Sequence, residues 1–209
     1  VTMTTRDKIG LTSDTIVTLY RDPTAKAILW LGTGQGGLVK FDTASMTATA
    51  FRHKLDDPAS LSSDDVYSIY RDAAGALWVG TQNGGLNKVD AQTGKAVRYT
   101  TANSKLTNDT IWGLLADADG NLWLSTNGGG LVEFDPKTGK QRIVIDVNAV
   151  CGLTTPEKPT YAAQSKIHTR NFVAPSGRIY VGSKQGYRRG KDDTADYPGG
   201  YVIVYDPDT

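Results

Sequence analysis

Short apolar runs separated by glycine, aspartate and asparagine recur along the chain at a nearly fixed interval. The stretch LWVGTQNGGLNKVDAQTGK, Leu77 to Lys95, is written again as LWLGTGQGGLVKFD from Leu29 to Asp42 and as LWLSTNGGGLVEFDPKTG from Leu122 to Gly139. Trp30, Trp78 and Trp123 are each followed eight residues later by Leu38, Leu86 and Leu131, and twelve residues later by Asp42, Asp90 and Asp135. Upstream lie LTSDTIVTLYRD from Leu11, LSSDDVYSIYRD from Leu61 and LTNDTIWGLLAD from Leu106, so the whole unit returns after 50 and then 45 residues. A fourth, divergent copy runs FVAPSGRIYVGSKQGY from Phe172, with Tyr180 in the tryptophan position, and closes on VIVYDPDT from Val202. A catalytic loop is seldom needed three times, whereas a structural module is.

Each unit reads as four short strands bounded by turn residues. In the second unit these are Val66 to Asp72, Ala76 to Thr81, Leu86 to Asp90 and Ala96 to Thr100, joined by AAG, QNGG and AQTGK. Asn-Gly and Gly-Gly connections supply positive φ cheaply and match strand twist, so the glycines read mainly as turns. A dinucleotide or phosphate loop fits poorly, because no helix-forming segment follows. Four-stranded units of about 45 residues are the pattern of β-propeller blades. The fold class is therefore all-β, a β-propeller of antiparallel four-stranded blades. Three blades are clear, at about 11–55, 61–101 and 106–147, and the divergent fourth covers 166–209. The recurring tryptophan supplies one large apolar side chain per unit to pack between neighbouring blades. VTMTT, Val1 to Thr5, stands where an outer strand of the last blade belongs, which suits a four-bladed ring; the alternative is a fragment of a larger propeller.

The stretch LSSDDVYSIYRDAAGALWVGTQNGGLNKVDAQTG resembles the two-component regulator propeller repeat, and the likeness is strongest from Leu11 to Lys140. That resemblance implies a binding propeller of the kind found in the extracytoplasmic sensor domains of bacterial hybrid histidine kinases. It implies a periplasmic or extracellular location and often a glycan ligand, and it carries no universal catalytic residue. DAQTGK and DPKTGK are also similar to turns in quinoprotein propellers, but the tryptophan those place a few residues later is missing after both.

Charge and composition narrow the partners. The 23 Lys+Arg against 22 Asp+Glu leave a formal charge of +1, which gives no whole-molecule field favouring nucleic acid or an anionic membrane. No run approaches the roughly 18 apolar residues of a bilayer span. The first residues show no basic-then-apolar leader, so the compartment is not legible from a signal. One cysteine, Cys151, with only His53 and His168 as candidate bases, reads as structural. DADGN at Asp117 to Asn121 begins like a calcium loop but lacks the closing glutamate and aligns with DAAGA and APSGR, so it reads as a turn. NDT at Asn108 matches a glycosylation sequon and otherwise reads as a turn before a strand. No metal site and no cofactor are expected.

Function is expected to concentrate where the pattern breaks. The edge that carries TGQGG, TQNGG and TNGGG in the first three units carries SKQGYRRGKDDTADYPGG, Ser183 to Gly200, in the fourth, and the incoming linker from Asn148 is long as well. Long loops on a rigid scaffold are common binding sites. Aligning Gly177 with Gly75 sets His168, Arg170 and Asn171 beside Val66, Ser68 and Ile69 on the innermost strand. With Lys166, Lys184, Arg188 and Arg189 they form a basic entrance suited to a carboxylate or sulfate, and Tyr187 and Tyr197 offer stacking faces for a sugar ring. The favoured reading is a noncatalytic recognition propeller for an acidic saccharide or similar anion, with no catalytic residue. The enzyme alternative is a polysaccharide lyase or hydrolase with His168 as general base and Arg170 or Lys184 holding a substrate carboxylate. A third reading is a protein-protein assembly scaffold.

Overall fold

The short β-rich runs fold as their turn residues dictate, into four antiparallel sheets of four strands each. The computed structural model describes residues 9–128, 130–150, 164–167, 171–185 and 200–207. The first sheet holds β1 (Ile16–Arg21), β2 (Ile28–Thr33), β3 (Leu38–Asp42) and β4 (Thr47–Phe51), and the second β5 (Val66–Arg71), β6 (Leu77–Thr81), β7 (Leu86–Val89) and β8 (Ala96–Tyr99). The third holds β9 (Ile111–Ala116), β10 (Leu122–Thr126), β11 (Gly130–Phe134) and β12 (Gln141–Asp146), after which Val147–Val150 forms one helical turn. In these three sheets each strand pairs with the next in sequence. The second-unit boundaries fall within one residue of those the sequence predicts.

The fourth sheet departs from this order. β15 (Ile179–Gln185) pairs with β13 (Gln164–Ile167), β14 (Phe172–Val173) and β16 (Val202–Tyr205). β13 and β14 together hold the rungs of the single strand β5: Phe172 faces Tyr180 as Tyr70 faces Trp78, and Ile167 faces Ser183 as Val66 faces Thr81. The first of these rungs agrees with the gapless alignment on Gly177. The second corrects it by one residue, because Ile167, fully buried, holds the place the alignment gave to His168. The cause is burial: the first inner-strand rung must be apolar, and Ile167 is the apolar residue at hand. Val1 to Thr5, the expected outer strand of the last blade, lies outside the described residues.

The chain divides into two compact units, residues 1–104 with 109–111, and 105–108 with 112–209. In the first, Trp30 and Leu38 of the first sheet pack with Val66, Ile69, Leu77 and Val79 of the second. In the second, Trp123 and Leu131 of the third sheet pack with Ile167, Ile179, Val181 and Ile203 of the fourth. Trp30 and Trp123 thus pack between neighbouring blades, as a large flat side chain returning once per unit should.

Each tryptophan has a polar anchor too. The indole Nε1 of Trp30, Trp78 and Trp123 donates to Oδ2 of Asp22, Asp72 and Asp117 respectively, each at 2.8 Å. A buried indole N–H left unpaired would cost on the order of 1–3 kcal/mol, so the aspartate that closes the inner strand is tied to the tryptophan of the next. In the fourth unit both partners change together, to Ala174 and Tyr180. DADGN is accordingly a turn: Asp117 Oδ1 accepts the backbone N–H of Asp119 and Asn121 at 3.0 and 2.9 Å while its other oxygen holds Trp123. The turns that follow the third strands work similarly. Backbone N–H of Ser45 and Ala44 on Asp42, of Thr93 on Asp90, and the Thr138 hydroxyl with the Lys137 N–H on Asp135 hold all three carboxyls below the usual range.

The strand glycines answer a packing demand. A Cβ at Gly32 would lie 2.7 Å from the Val66 carbonyl oxygen, and one at Gly80 would lie 2.8 Å from Ile111 Cγ2, so glycine lets the next inner strand close up. Gly37 and Gly85, at φ +81° and +76°, place their Cα against the Phe51 and Tyr99 carbonyls.

Candidate functional site

The edge that carries the second-to-third connections is built on one repeated hydrogen bond. Thr33 Oγ1 donates to the Gly37 carbonyl at 2.7 Å, Thr81 Oγ1 to Gly85 at 2.9 Å, and Thr126 Oγ1 to Gly130 at 3.0 Å. Each pin closes a loop of three intervening residues. In the fourth sheet, Gly182 faces Val202 as Gly32 faces Leu38, so Ser183 and Tyr201 take the places of Thr33 and Gly37. The pin persists there in altered form: Ser183 Oγ donates to the Tyr201 carbonyl at 3.4 Å and accepts the Tyr201 N–H at 2.9 Å, while Ser183 N–H donates to that carbonyl at 2.9 Å as Thr33 N–H does to the Gly37 carbonyl at 3.2 Å. Residues 184–200 are therefore inserted between two points fixed as in the short loops. The sequence shows that the loop is long, but not that its base is the same.

In the first compact unit the short loops are consumed in fastening one blade to the next. Gly37 N–H donates to the Asp64 carbonyl at 2.9 Å, Gln35 N–H to Asp65 Oδ1 at 3.0 Å, and Arg52 pairs with Asp64 at 2.8 Å. The second loop repeats the scheme with Gly85 N–H on the Asp109 carbonyl at 2.7 Å and Asn83 N–H on Thr110 Oγ1 at 3.1 Å. The SDD and NDT motifs are the acceptor halves of these latches. Beside the first lies an open depression of about 490 Å³ lined by Thr12, Ser13, Asp14, Thr15, Gly34, Gln35 and Asp65. Its two carboxylates disfavour an anion. Among the described residues no group of three or more His, Cys, Asp and Glu is placed to hold a metal ion.

Of the nine predicted ligand-binding residues, three lie in the described part. β13 and β15 run past the length of the corresponding pair in the other sheets, and their register sets position 166 opposite position 184, so Lys166 and Lys184 occupy facing rungs. Asn171 is buried, donates from Nδ2 to the Trp123 carbonyl at 2.9 Å and accepts from the Ser125 hydroxyl. Its amide is engaged in joining the third sheet to the fourth. His168, Arg170, Tyr187, Arg188, Arg189 and Tyr197 lie outside the described residues, as does Cys151.

Ser125 is the partner that sequence reasoning missed, although a signal was present. It stands where Gly80 stands in the second unit, and Gly113 stands where Ser68 does, so glycine and hydroxyl are exchanged between the two strands. The exchange places a hydroxyl where Asn171 can accept from it.

These repeated units match known propellers. The family model described as "Two component regulator propeller" matches residues 60–83 and 105–128, the latch, inner strand, tryptophan strand and pinned loop of the second and third units. Two of the units are two-component regulator propeller repeats. No curated protein sequence matches the chain. Among solved structures, the chain is similar to the extracellular domain of a protein assigned as a hybrid two-component system of B. thetaiotaomicron, with TM-score 0.66, 21% identity, and coverage of 91% of this chain and 24% of that one. A second extracellular domain from the same organism, of a protein assigned as a one-component system, gives TM-score 0.63 at 23% identity over 83% of this chain and 22% of that one. An auxiliary nutrient-binding protein of Bacteroides thetaiotaomicron gives TM-score 0.57 at 12% identity over 90% and 41%. The chain spans about a quarter of the length of the two sensor domains. At these identities the likeness establishes the fold, an all-β propeller architecture. Among the described residues no helix is long and apolar enough to cross a membrane.

Proposed function

We propose that this chain is a noncatalytic recognition propeller, part of an extracytoplasmic bacterial sensor or nutrient-binding protein, whose fourth unit binds an acidic saccharide or a similar carboxylate or sulfate anion. The observation that carries the reading is the insertion of residues 184–200 above the retained backbone bond between Ser183 and Tyr201, beside facing rungs occupied by Lys166 and Lys184. A loop that keeps its base while lengthening is free to take up a role other than fastening blades. Two cationic positions on opposed rungs are unfavourable by themselves and are relieved by an anion. Arg170, His168, Arg188 and Arg189 add to that charge, with Tyr187 and Tyr197 as stacking faces. The short loops of the first two units, in contrast, have their backbone donors committed to the neighbouring blade.

Isothermal titration with uronic-acid oligosaccharides, against neutral glucans of matched length, tests this reading. Binding is expected for the acidic series, is lost in the Arg170→Ala, Arg189→Ala double variant, and leaves the oligosaccharide unchanged. Unaltered affinity in a well-folded double variant sinks the site, and release of cleaved product supports a lyase or hydrolase instead.

A further inference from the structure

Asparagine is followed by glycine or serine at three places, Asn83-Gly84, Asn103-Ser104 and Asn127-Gly128. A small residue in that place leaves its backbone nitrogen room to approach the asparagine carboxamide, so these are the positions where the side chain can cyclise. What holds each side chain decides whether it does. Asn83, at φ +58°, donates its N–H to Thr110 Oγ1 at 3.1 Å and accepts the Thr110 hydroxyl on Oδ1 at 3.1 Å. Gly84 behind it is buried, and a Cβ there would run into the Ser62 hydroxyl. Asn103 accepts the Thr100 N–H on Oδ1 at 2.7 Å and donates from Nδ2 to the Arg98 carbonyl at 2.9 Å. Asn127 has neither restraint. Both it and Gly128 are exposed, its carboxamide has no hydrogen-bond partner among the described residues, and a Cβ at Gly128, φ +84°, would meet nothing within 4 Å.

We propose that Asn127 is a site of spontaneous covalent modification, at which the side chain converts to aspartate and isoaspartate. The Gly128 backbone nitrogen attacks Asn127 Cγ and the new N–C bond closes a succinimide ring. The carboxamide nitrogen leaves as ammonia, taking the proton that Gly128 gives up. Water then opens the ring at either carbonyl, which yields aspartate or, with the main chain routed through Cβ and Cγ, isoaspartate. Either product adds one carboxylate, which cancels the formal charge of +1. Isoaspartate also lengthens the main chain by a methylene inside the loop that the Thr126–Gly130 pin closes. The third unit thus carries a timed change of charge and loop geometry at a dipeptide that the second unit holds still.

Incubation of the 209-residue protein in mildly alkaline buffer, followed by tryptic mapping in a mass spectrometer, tests the proposal. The three asparagines fall on separate peptides, residues 72–88, 99–105 and 106–137. Peptide 106–137 is expected to gain the mass of an amide-to-acid exchange, located at Asn127 by fragmentation, and to resolve into aspartate and isoaspartate forms. Its conversion should run about tenfold or more faster than that of peptide 72–88, because two hydrogen bonds must break before Asn83 can react. In urea, where the clamp is gone, the two Asn-Gly peptides should convert at similar rates. Asn127→Gln should leave peptide 106–137 unchanged over the same period. Equal rates at Asn83 and Asn127 in the folded protein overturn the proposal, and so does an Asn127 that survives in the folded protein while it reacts in urea.

Discussion

Asp22 shows how much one side chain of this repeat is asked to do. Burial pushes its carboxyl up, but hydrogen bonds from the Trp30 indole and from Thr24, with the Arg71 guanidinium of the next blade, outweigh that and hold the pKa at about 2. An aspartate in an unfolded chain titrates near 3.9. A depressed folded value means that the stabilisation is fully present above the unfolded pKa and is lost as pH falls through the folded one. The contribution at neutral pH is on the order of 2 kcal/mol. Urea unfolding of the unaltered protein and of Asp22→Asn should therefore differ most at pH 6, and the gap should narrow by pH 3 and nearly close at pH 2. A gap that is constant over that range would show that the lost hydrogen-bond geometry, and not the charge, sets the cost.

At the scale of strands, the joint between the third and fourth sheets is the informative one, because it replaces an apolar contact by a polar one. Asn171 stands where Ile69 stands and bonds both the Ser125 hydroxyl and the Trp123 carbonyl. Asn171→Leu would leave a buried hydroxyl and a buried carbonyl without this partner, at a cost of about 1–3 kcal/mol. Ser125→Gly removes the hydroxyl and restores the residue of the second unit, so the double variant should recover part of the loss, with a coupling of at least about 0.5 kcal/mol in a double-mutant cycle. Strictly additive effects would mean that the two side chains do not act as a pair. The strands themselves were legible in the sequence because alternation and Gly-rich turns recur in phase, which is why Val66, Leu77, Leu86 and Ala96 begin strands where the pattern puts them. The indole-to-aspartate bond is equally recoverable, since Asp and Trp recur together and are absent together at Ala174 and Tyr180. The one-residue shift at Ile167 was not recoverable from a gapless alignment, which cannot place an extra residue between the Ile167 and Phe172 rungs. Of the predicted site, register alone brings Lys166 to face Lys184, and the pin beneath the insertion depends on a Ser-for-Thr exchange with a tyrosine in a glycine's place.

For the whole molecule, the question is whether stability and recognition are separable, and the pin allows them to be separated. Ser183 and Tyr201 are held as Thr33 and Gly37 are, across residues 184–200 instead of three. Replacing residues 184–200 by Gly-Gln-Gly, the residues between Thr33 and Gly37, should therefore let β15 and β16 keep their register. Shortening the loop roughly sixfold lowers its closure cost by about 1.5 kcal/mol, so the variant should be as stable as the parent or slightly more so. Ile203, buried against Trp123 and Ile179, would remain in the core of the second compact unit. Binding of acidic oligosaccharides should at the same time disappear, because Tyr187, Arg188, Arg189 and Tyr197 leave with the loop. Thermal melting and titration on one sample decide the matter. A variant that melts far below the parent would make residues 184–200 a structural part of the fourth sheet, and one that is stable and still binds would move the recognition surface elsewhere on the propeller.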